Sequence, residues 1–281
     1  MEARGITRLV HAQEVTEGAG VTVHRTLGTP ALRNLDPFLL LDHFSSDDPD
    51  DYIAGFPDHP HRGFITLTYM LDGHMLHRDS MGSEGDLRTG GAQWMKAASG
   101  VIHSEMPRQV EGLMRGFQLW INLPAARKMD APAYQDIAPE AIPVHDAPGV
   151  RVHVLAGTHA GVRGPIDDPV THLQYLDVEL APGTPFLHKG TTDAGHNAFV
   201  YVFEGDAAIA GQAVPRHHLA VLGPGERLEV TAGGDGARLI LVSGRPIGEP
   251  IVQYGPFVMN TREEIEQALA DYRDGRLVRG E

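Results

Sequence analysis

His59-Pro60-His61 places two imidazoles two residues apart, and His103-Ser104-Glu105 does the same with an imidazole and a carboxylate. On an extended chain, side chains at i and i+2 point to the same side, so each pair presents both donors to one face. Pro60 stiffens the first pair by fixing its own φ. Together the pairs supply three nitrogens and one carboxylate oxygen. Such a set leaves one or two open positions on an octahedral ion, which suits Fe(II) and equally Mn, Co, Ni or Cu. Zinc accepts the same donors, so the ligand set does not choose among them. A His-x-His pair alone carries little weight in a chain with 16 histidines, and His217-His218 is not read as a site. Two same-side pairs within one series of strands carry more.

The bulk composition narrows the chemistry further. There is no cysteine, which excludes disulfides, iron–sulfur clusters and thiol catalysis and leaves nitrogen and oxygen as the metal donors. With 23 basic and 37 acidic residues the formal net charge is −14. No basic cluster appears, so direct nucleic-acid binding is not expected. No basic start followed by an apolar run marks a signal peptide. No stretch approaches the ~20 apolar residues of a membrane helix. The expectation is a cytoplasmic protein with no membrane contact.

The elements that must position these donors read mostly as strands. Residues 21–25, 64–71 and 117–123 form one series; residues 150–155, 173–179, 198–203, 207–209, 218–222, 227–231 and 238–242 form a second. Asp72-Gly73 stands between residues 64–71 and 75–77 as a hairpin signal. The proline-rich, acidic stretch 124–148 reads as a linker. Near the C-terminus, Thr261 and Glu264 form a capping box, and Ile265, Ala268, Leu269 and Tyr272 make one helical stripe that predicts a helix packed against a barrel.

The two series resemble each other. Residues 64–73 match 196–205, each an apolar run ending in acid-Gly, and Gly90-Gly91 matches Gly223-Pro224-Gly225. A repeat of that size predicts two similar barrels. The offsets carry His59 and His61 onto Thr191 and Asp193, and His103 and Glu105 onto Ala237 and Leu239. These cannot replace three His and a Glu, so a single metal site is expected, with His188 and His196 as the nearest further donors.

His59-Pro-His-Arg-Gly-Phe64, Gln93-Trp-Met95, Gly100-Val-Ile-His-Ser-Glu-Met-Pro107, Leu119-Trp-Ile-Asn-Leu-Pro124, Leu35-Asp-Pro-Phe-Leu-Leu-Leu-Asp-His-Phe44 and Gly255-Pro-Phe-Val-Met-Asn-Thr261 together resemble the signature of the pirin family. The resemblance runs from about Gly5 to past Tyr272. It implies an all-β bicupin, two antiparallel jelly-roll β-barrels in one chain with a short C-terminal helix. The corresponding division is a metal-binding cupin domain at residues 1–135, a metal-free cupin domain at 136–255 and a helical extension at 256–281. It implies one divalent ion, iron being expected, on His59, His61, His103 and Glu105. Where the family usually has Glu after His-Pro-His-Arg-Gly-Phe, this chain has Ile65, so the carboxylate must come from Glu105.

In bacterial relatives the reaction implied is opening of flavonols such as quercetin by O2, with release of carbon monoxide. Glu105 would take the 3-hydroxyl proton, or act as a ligand only. Phe56, Arg62 and Gln118 are candidates for the wall of a polyphenol pocket, Arg62 by attracting a phenolate. Trp94 and Trp120 are expected in the core. Eukaryotic relatives imply an alternative, a metal- or redox-sensing regulator acting through a protein partner such as a transcription complex or a metabolic enzyme. A monomer is the family expectation.

Overall fold

The computed structural model describes residues 2–189 and 195–278. More than half of them lie in strands, with one α-helix among the described residues, Arg262–Arg273. The all-β, double jelly-roll architecture is therefore present. The strands divide between two compact units. The first jelly roll contains residues 14–27, 38–139 and 247–278; the second contains residues 2–13, 28–37, 140–189 and 195–246.

These boundaries differ from a contiguous division after residues 135 and 255. The opening strand Ile6–His11 pairs with His218–Leu222, and the buried Arg4 guanidinium donates to the carbonyls of His196, Gly223 and Gly225. The start of the chain thus completes the second jelly roll. The end of the chain completes the first: Phe257, Met259, Ile265, Ala268 and Leu277 cluster with Ile102.

The first jelly roll has two large sheets, beside the two-stranded pair Val252–Tyr254 with Phe257–Met259. One runs in the order Ala133–Ile137, Ala92–Lys96, Phe64–Asp72, Met114–Asn122, Phe38–Ser46, Val21–Leu27, Gln13–Glu17. The other runs Phe56–His61, Val101–Pro107, His74–Asp79, Glu84–Arg88. Asp72-Gly73 is consequently not a hairpin. Phe64–Asp72 pairs with Ala92–Lys96 and Met114–Asn122, while His74–Asp79 pairs with Val101–Pro107 and Glu84–Arg88. The turn carries the chain from one sheet to the other. Gly73 has φ of 110°, and a Cβ there would lie 2.8 Å from Gln109 Oε1, so this crossing requires glycine.

The 124–148 stretch is not a free linker either. It contributes Ala133–Ile137 to the edge of the seven-stranded sheet and Val144–Ala147 to the second jelly roll. Pro132 and Pro143 sit just before these strands, where a missing N–H is tolerated. In the second jelly roll, Asn197–Ile209 and Arg227–Gly244 are continuous strands, each spanning two of the predicted segments. Val152, Leu176, Val200, Leu239 and Leu241 belong to its buried core.

The C-terminal helix has the capping box the sequence predicts: Glu264 N donates to Thr261 Oγ1 at 3.2 Å, and Thr261 N to Glu264 Oε2 at 3.0 Å. Its buried face is narrower than the stripe. Ile265 and Ala268 are buried, whereas Leu269 and Tyr272 are 37% and 43% exposed. The inner face turns through Asp271, which is bound by Arg62.

Candidate metal centre

Strand pairing builds the centre. His59 lies opposite His103, and His61 opposite Val101. One ligand nitrogen from each of His59, His61 and His103 lies within 4.8 Å of the others. Metal–imidazole bonds are ~2.0–2.1 Å, so small side-chain adjustments bring all three onto one ion. His61 and His103 are only 3% and 1% exposed. His61 Nδ1 and His103 Nε2 are buried without a hydrogen-bond partner. His59 donates its Nδ1 hydrogen to the Pro57 carbonyl at 2.8 Å, which leaves its Nε2 lone pair available. Buried polar atoms of this kind are uncommon and call for an occupant; a divalent cation fits them.

Burial holds His61 and His103 well below the ordinary imidazole value, reinforced by His59 at the first and by His61, His59 and His77 at the second. The Pro256 carbonyl opposes the effect at His61. Neutral imidazoles are the form that coordinates.

Glu105 is buried beside this cluster, two residues beyond His103 on the same strand face. Its carboxylate is turned to the other sheet. It accepts from Thr68 Oγ1 at 3.1 Å and from Gln118 Nε2 at 3.2 Å. The structure thus brings three of the four predicted ligands together; the Glu105 carboxylate, two residues along the strand from His103, is not part of that group.

Glu105 faces a polar row that crosses the seven-stranded sheet in register: Asp136, Gln93, Thr68, Gln118, Asp42 and Arg25 lie on successive strands. Arg25 clamps Asp42 with two hydrogen bonds of 2.7 and 2.5 Å. Asp42, Thr68, Gln118 and Glu105 form the polar side of a small cavity, and Val23, Phe44, Phe56 and Met75 its apolar side. Phe56 and Gln118 therefore both line it. The cavity volume is about 30 Å³, room for one or two waters.

Arg62 does not line this cavity. Its guanidinium is 2% exposed and committed elsewhere, donating to Ser99 O at 2.6 Å, Asp271 Oδ2 at 2.8 Å and Leu277 O at 3.3 Å. It anchors the C-terminal helix and is not free to attract a phenolate. Ile65 is buried, and strand alternation puts it on the opposite face from Thr68. Trp94 and Trp120 are half-buried rather than enclosed; Trp120 and Phe64 set their rings edge-on to His61.

Three further residues lie near the cluster. His77 lies 3.4 Å from His103 (Nδ1 to Nδ1), Asp79 lies 3.2 Å from His77 Nε2, and Tyr134 stacks on the His77 ring at 4.5 Å. His77-Arg78-Asp79 has the same i, i+2 spacing as the two chosen pairs. Only the pairing of His74–Asp79 with Val101–Pro107 shows that it belongs with them.

In the second jelly roll, the strand pair equivalent to the His59/His103 pair is Pro185–Lys189 with the first part of Arg227–Gly244. There His188 lies opposite Leu228 and Phe186 opposite Val230. By register and burial, His61 corresponds to His188, His59 to Phe186, His103 to Val230 and Glu105 to Ala232. Ala237 and Leu239 fall further on, opposite Gln174–Leu180, because Val230 follows Gly225 by 5 residues where His103 follows Gly91 by 12. Thr191 and Asp193 lie outside the described residues. His188 is engaged with His159, Nδ1 to Nδ1, at 2.9 Å. Among the described residues, His59, His61 and His103 make the only group of three or more His and carboxylate donors arranged to hold an ion.

Two jelly rolls in one chain, one of them carrying a histidine cluster on facing positions of adjacent strands, define a bicupin. Comparison with known proteins places it more closely. The model described as Pirin matches residues 20–121, and that described as Pirin C-terminal cupin domain matches residues 175–278. The chain belongs to the pirin family. A pirin-like protein of Caulobacter vibrioides is 48% identical over 278 residues, spanning 98% of this chain and 100% of that one. Human pirin is 41% identical over 280 residues, 98% of this chain and 94% of that one. The crystal structure of a quercetin 2,3-dioxygenase from Acinetobacter baumannii matches with a TM-score of 0.91 at 31% identity, covering 98% of this chain and 99% of that one. No helix among the described residues is long and apolar enough to cross a membrane.

Proposed function

We propose that this protein is a cytoplasmic, metal-dependent dioxygenase that opens flavonols such as quercetin with O2 and releases carbon monoxide. Iron is the proposed resident ion, held by His59, His61, His103 and Glu105. The observation that carries this reading is the convergence of the three imidazoles beside a buried carboxylate that faces a cavity with one polar and one apolar wall. The bound ion would polarise the oxygens of a chelating substrate.

The chain's own groups account for the proton. Glu105 takes the flavonol 3-hydroxyl proton. Thr68 and Gln118, which donate to the Glu105 carboxylate, hold its oxygens in place before transfer. Afterwards the Thr68 hydroxyl can accept from the protonated carboxyl. Phe56, Phe44 and Val23 would contact the aromatic rings. Small-molecule sites commonly have ~300–1,000 Å³, so a flavonol enters only as the walls part. Phe56, half-buried at the start of its strand, is the wall residue best placed to move.

Oxygen uptake and carbon monoxide release, measured with quercetin and Fe(II)-loaded protein of verified stoichiometry, test the proposal. Turnover that depends on the ion and disappears in Glu105→Gln is expected. Full metal occupancy with no uptake above the free-ion background refutes it.

A further inference from the structure

Behind the histidine cluster stands a second imidazole backed by a carboxylate. His77 and Asp79 lie opposite Glu105 and His103 on the neighbouring strand. His103 Nδ1 is 3.4 Å from His77 Nδ1, and His77 Nε2 is 3.2 Å from Asp79 Oδ2. The His77 and Asp79 side chains are 2% and 0% exposed. The other Asp79 oxygen, Oδ1, accepts the backbone N–H of Met81 at 2.9 Å and of Ser83 at 3.0 Å. The His77 ring is stacked on Tyr134 with only 19° between the planes, so its orientation is set by packing as well.

The direction of the hydrogen bonds follows from what each group can do. A carboxylate only accepts, so His77 carries its hydrogen on Nε2 and donates it to Asp79. His77 Nδ1 is then a lone pair, and it accepts the Nδ1–H of His103. His103 Nε2, the buried atom with no partner, is left without a hydrogen and can coordinate. We infer that Asp79 and His77 form a positioning relay that locks His103 in its Nδ1–H tautomer and thereby sets the metal affinity of the cluster. The inference rests on the metal-centre reading proposed above. Partners behind a metal-bound histidine fix its tautomer and are worth ~10–100-fold in affinity; here the usual single carboxylate is replaced by a two-residue chain.

Asp79→Asn tests the relay without changing shape. The Met81 and Ser83 N–H groups keep the amide oxygen at the Oδ1 position, so the amide NH2 takes the place of Oδ2. That group donates. His77 Nε2 must then accept, His77 Nδ1 carries the hydrogen, and His103 is driven to Nε2–H. Long-range 1H–15N imidazole spectra of the metal-free full-length protein should show His103 as Nδ1–H in the wild type and Nε2–H in the variant. The Zn(II) and Co(II) dissociation constants, from chelator competition, should rise 10–100-fold in the variant. His77→Asn, whose amide oxygen stands in for the Nδ1 acceptor, should retain the His103 tautomer and bind both ions within several-fold of the wild type. An unchanged tautomer in Asp79→Asn, or a changed tautomer with unchanged dissociation constants, overturns the relay. Wild-type protein that competes for neither ion overturns the metal centre itself, and the relay then stands or falls on the tautomer shift.

Discussion

Replacing His61 by leucine should make the metal-free protein more stable and abolish metal binding. His61 is 3% exposed and its Nδ1 has no hydrogen-bond partner. A buried polar atom left in this condition costs about 1–3 kcal/mol. Leucine has a similar volume and would pack against the ring edges of Phe64 and Trp120 that now meet His61. Leucine also forgoes the imidazole's interaction with the Pro256 carbonyl, worth about 1 kcal/mol, so the metal-free variant is expected to gain up to about 2 kcal/mol, which at ~2–4 °C per kcal/mol for a protein of this size raises Tm by up to roughly 8 °C. Metal reverses the order. At an ion concentration 1,000 times Kd the wild type gains about 4 kcal/mol from binding, and the variant gains nothing. Differential scanning calorimetry with EDTA and then with Zn(II) or Co(II) measures both effects. A metal-free variant that melts below the wild type shows that Nδ1 is satisfied and the argument from the unpaired atom is wrong. A variant whose Tm still rises with metal shows that His61 is not a ligand.

Arg62→Ala removes a buried cation and leaves Ser99 O and Leu277 O without their donor. It should lower stability by about 2–3 kcal/mol in urea titrations, Asp271 being partly exposed, and leave the KM for quercetin unchanged; a raised KM at unchanged stability would restore the phenolate-binding role. Burial lowers Lys128 to about 7, although Glu249 and Glu264 pull the other way, and its amine donates to Gly63 O, Asn122 Oδ1 and Val258 O. The unfolded chain holds that proton up to ~10.4, so between the two values it binds more protons than the fold and stability rises with pH. The stability difference between wild type and Lys128→Met should grow in favour of the wild type by about 2 kcal/mol from pH 7 to 9; urea midpoints that stay parallel refute this. Gln118→Leu removes the amide that donates to Glu105 at 3.2 Å and should reduce kcat by about 10–100-fold, the scale of a lost charge-assisted hydrogen bond, with metal stoichiometry intact; full activity would show that the base needs no support.

What the sequence disclosed was local. The i, i+2 spacing of His59 and His61, and of His103 and Glu105, states which side chains share a face, and the Thr261/Glu264 box states where a helix starts. Both are properties of a few adjacent residues. What it did not disclose depends on which strand lies next to which. Asp72-Gly73 has hairpin chemistry, yet the chain changes sheet there because both flanking strands find better partners far along the sequence. Arg62 sits beside a predicted ligand, but its partners are Asp271 and Leu277, more than 200 residues away. Ile6–His11 joins the second jelly roll by pairing across a similar distance. The repeat is legible in the sequence, but offsets taken at Gly73/Gly205 and Gly91/Gly225 miss the register at the donor positions because the intervening loops differ in length.

The polar row from Asp136 to Arg25 bears on folding as well as on chemistry. Strand Phe64–Asp72 is buried on both faces through residue 71, so the in-out alternation that usually tells a strand which partner residue to face is missing. Sliding such a strand by one step would merely exchange one apolar surface for another. The row removes that freedom. A single-step slip of this strand would take Thr68 out of line with Gln93, Gln118 and Glu105, leaving enclosed polar groups without their counterparts, which is more unfavourable than an imperfect apolar contact. The cavity that receives the substrate in the proposed reaction is thus also the alignment key of the sheet. Substitutions that make it more apolar are expected to broaden the set of strand alignments the chain can adopt before they affect the strength of its core.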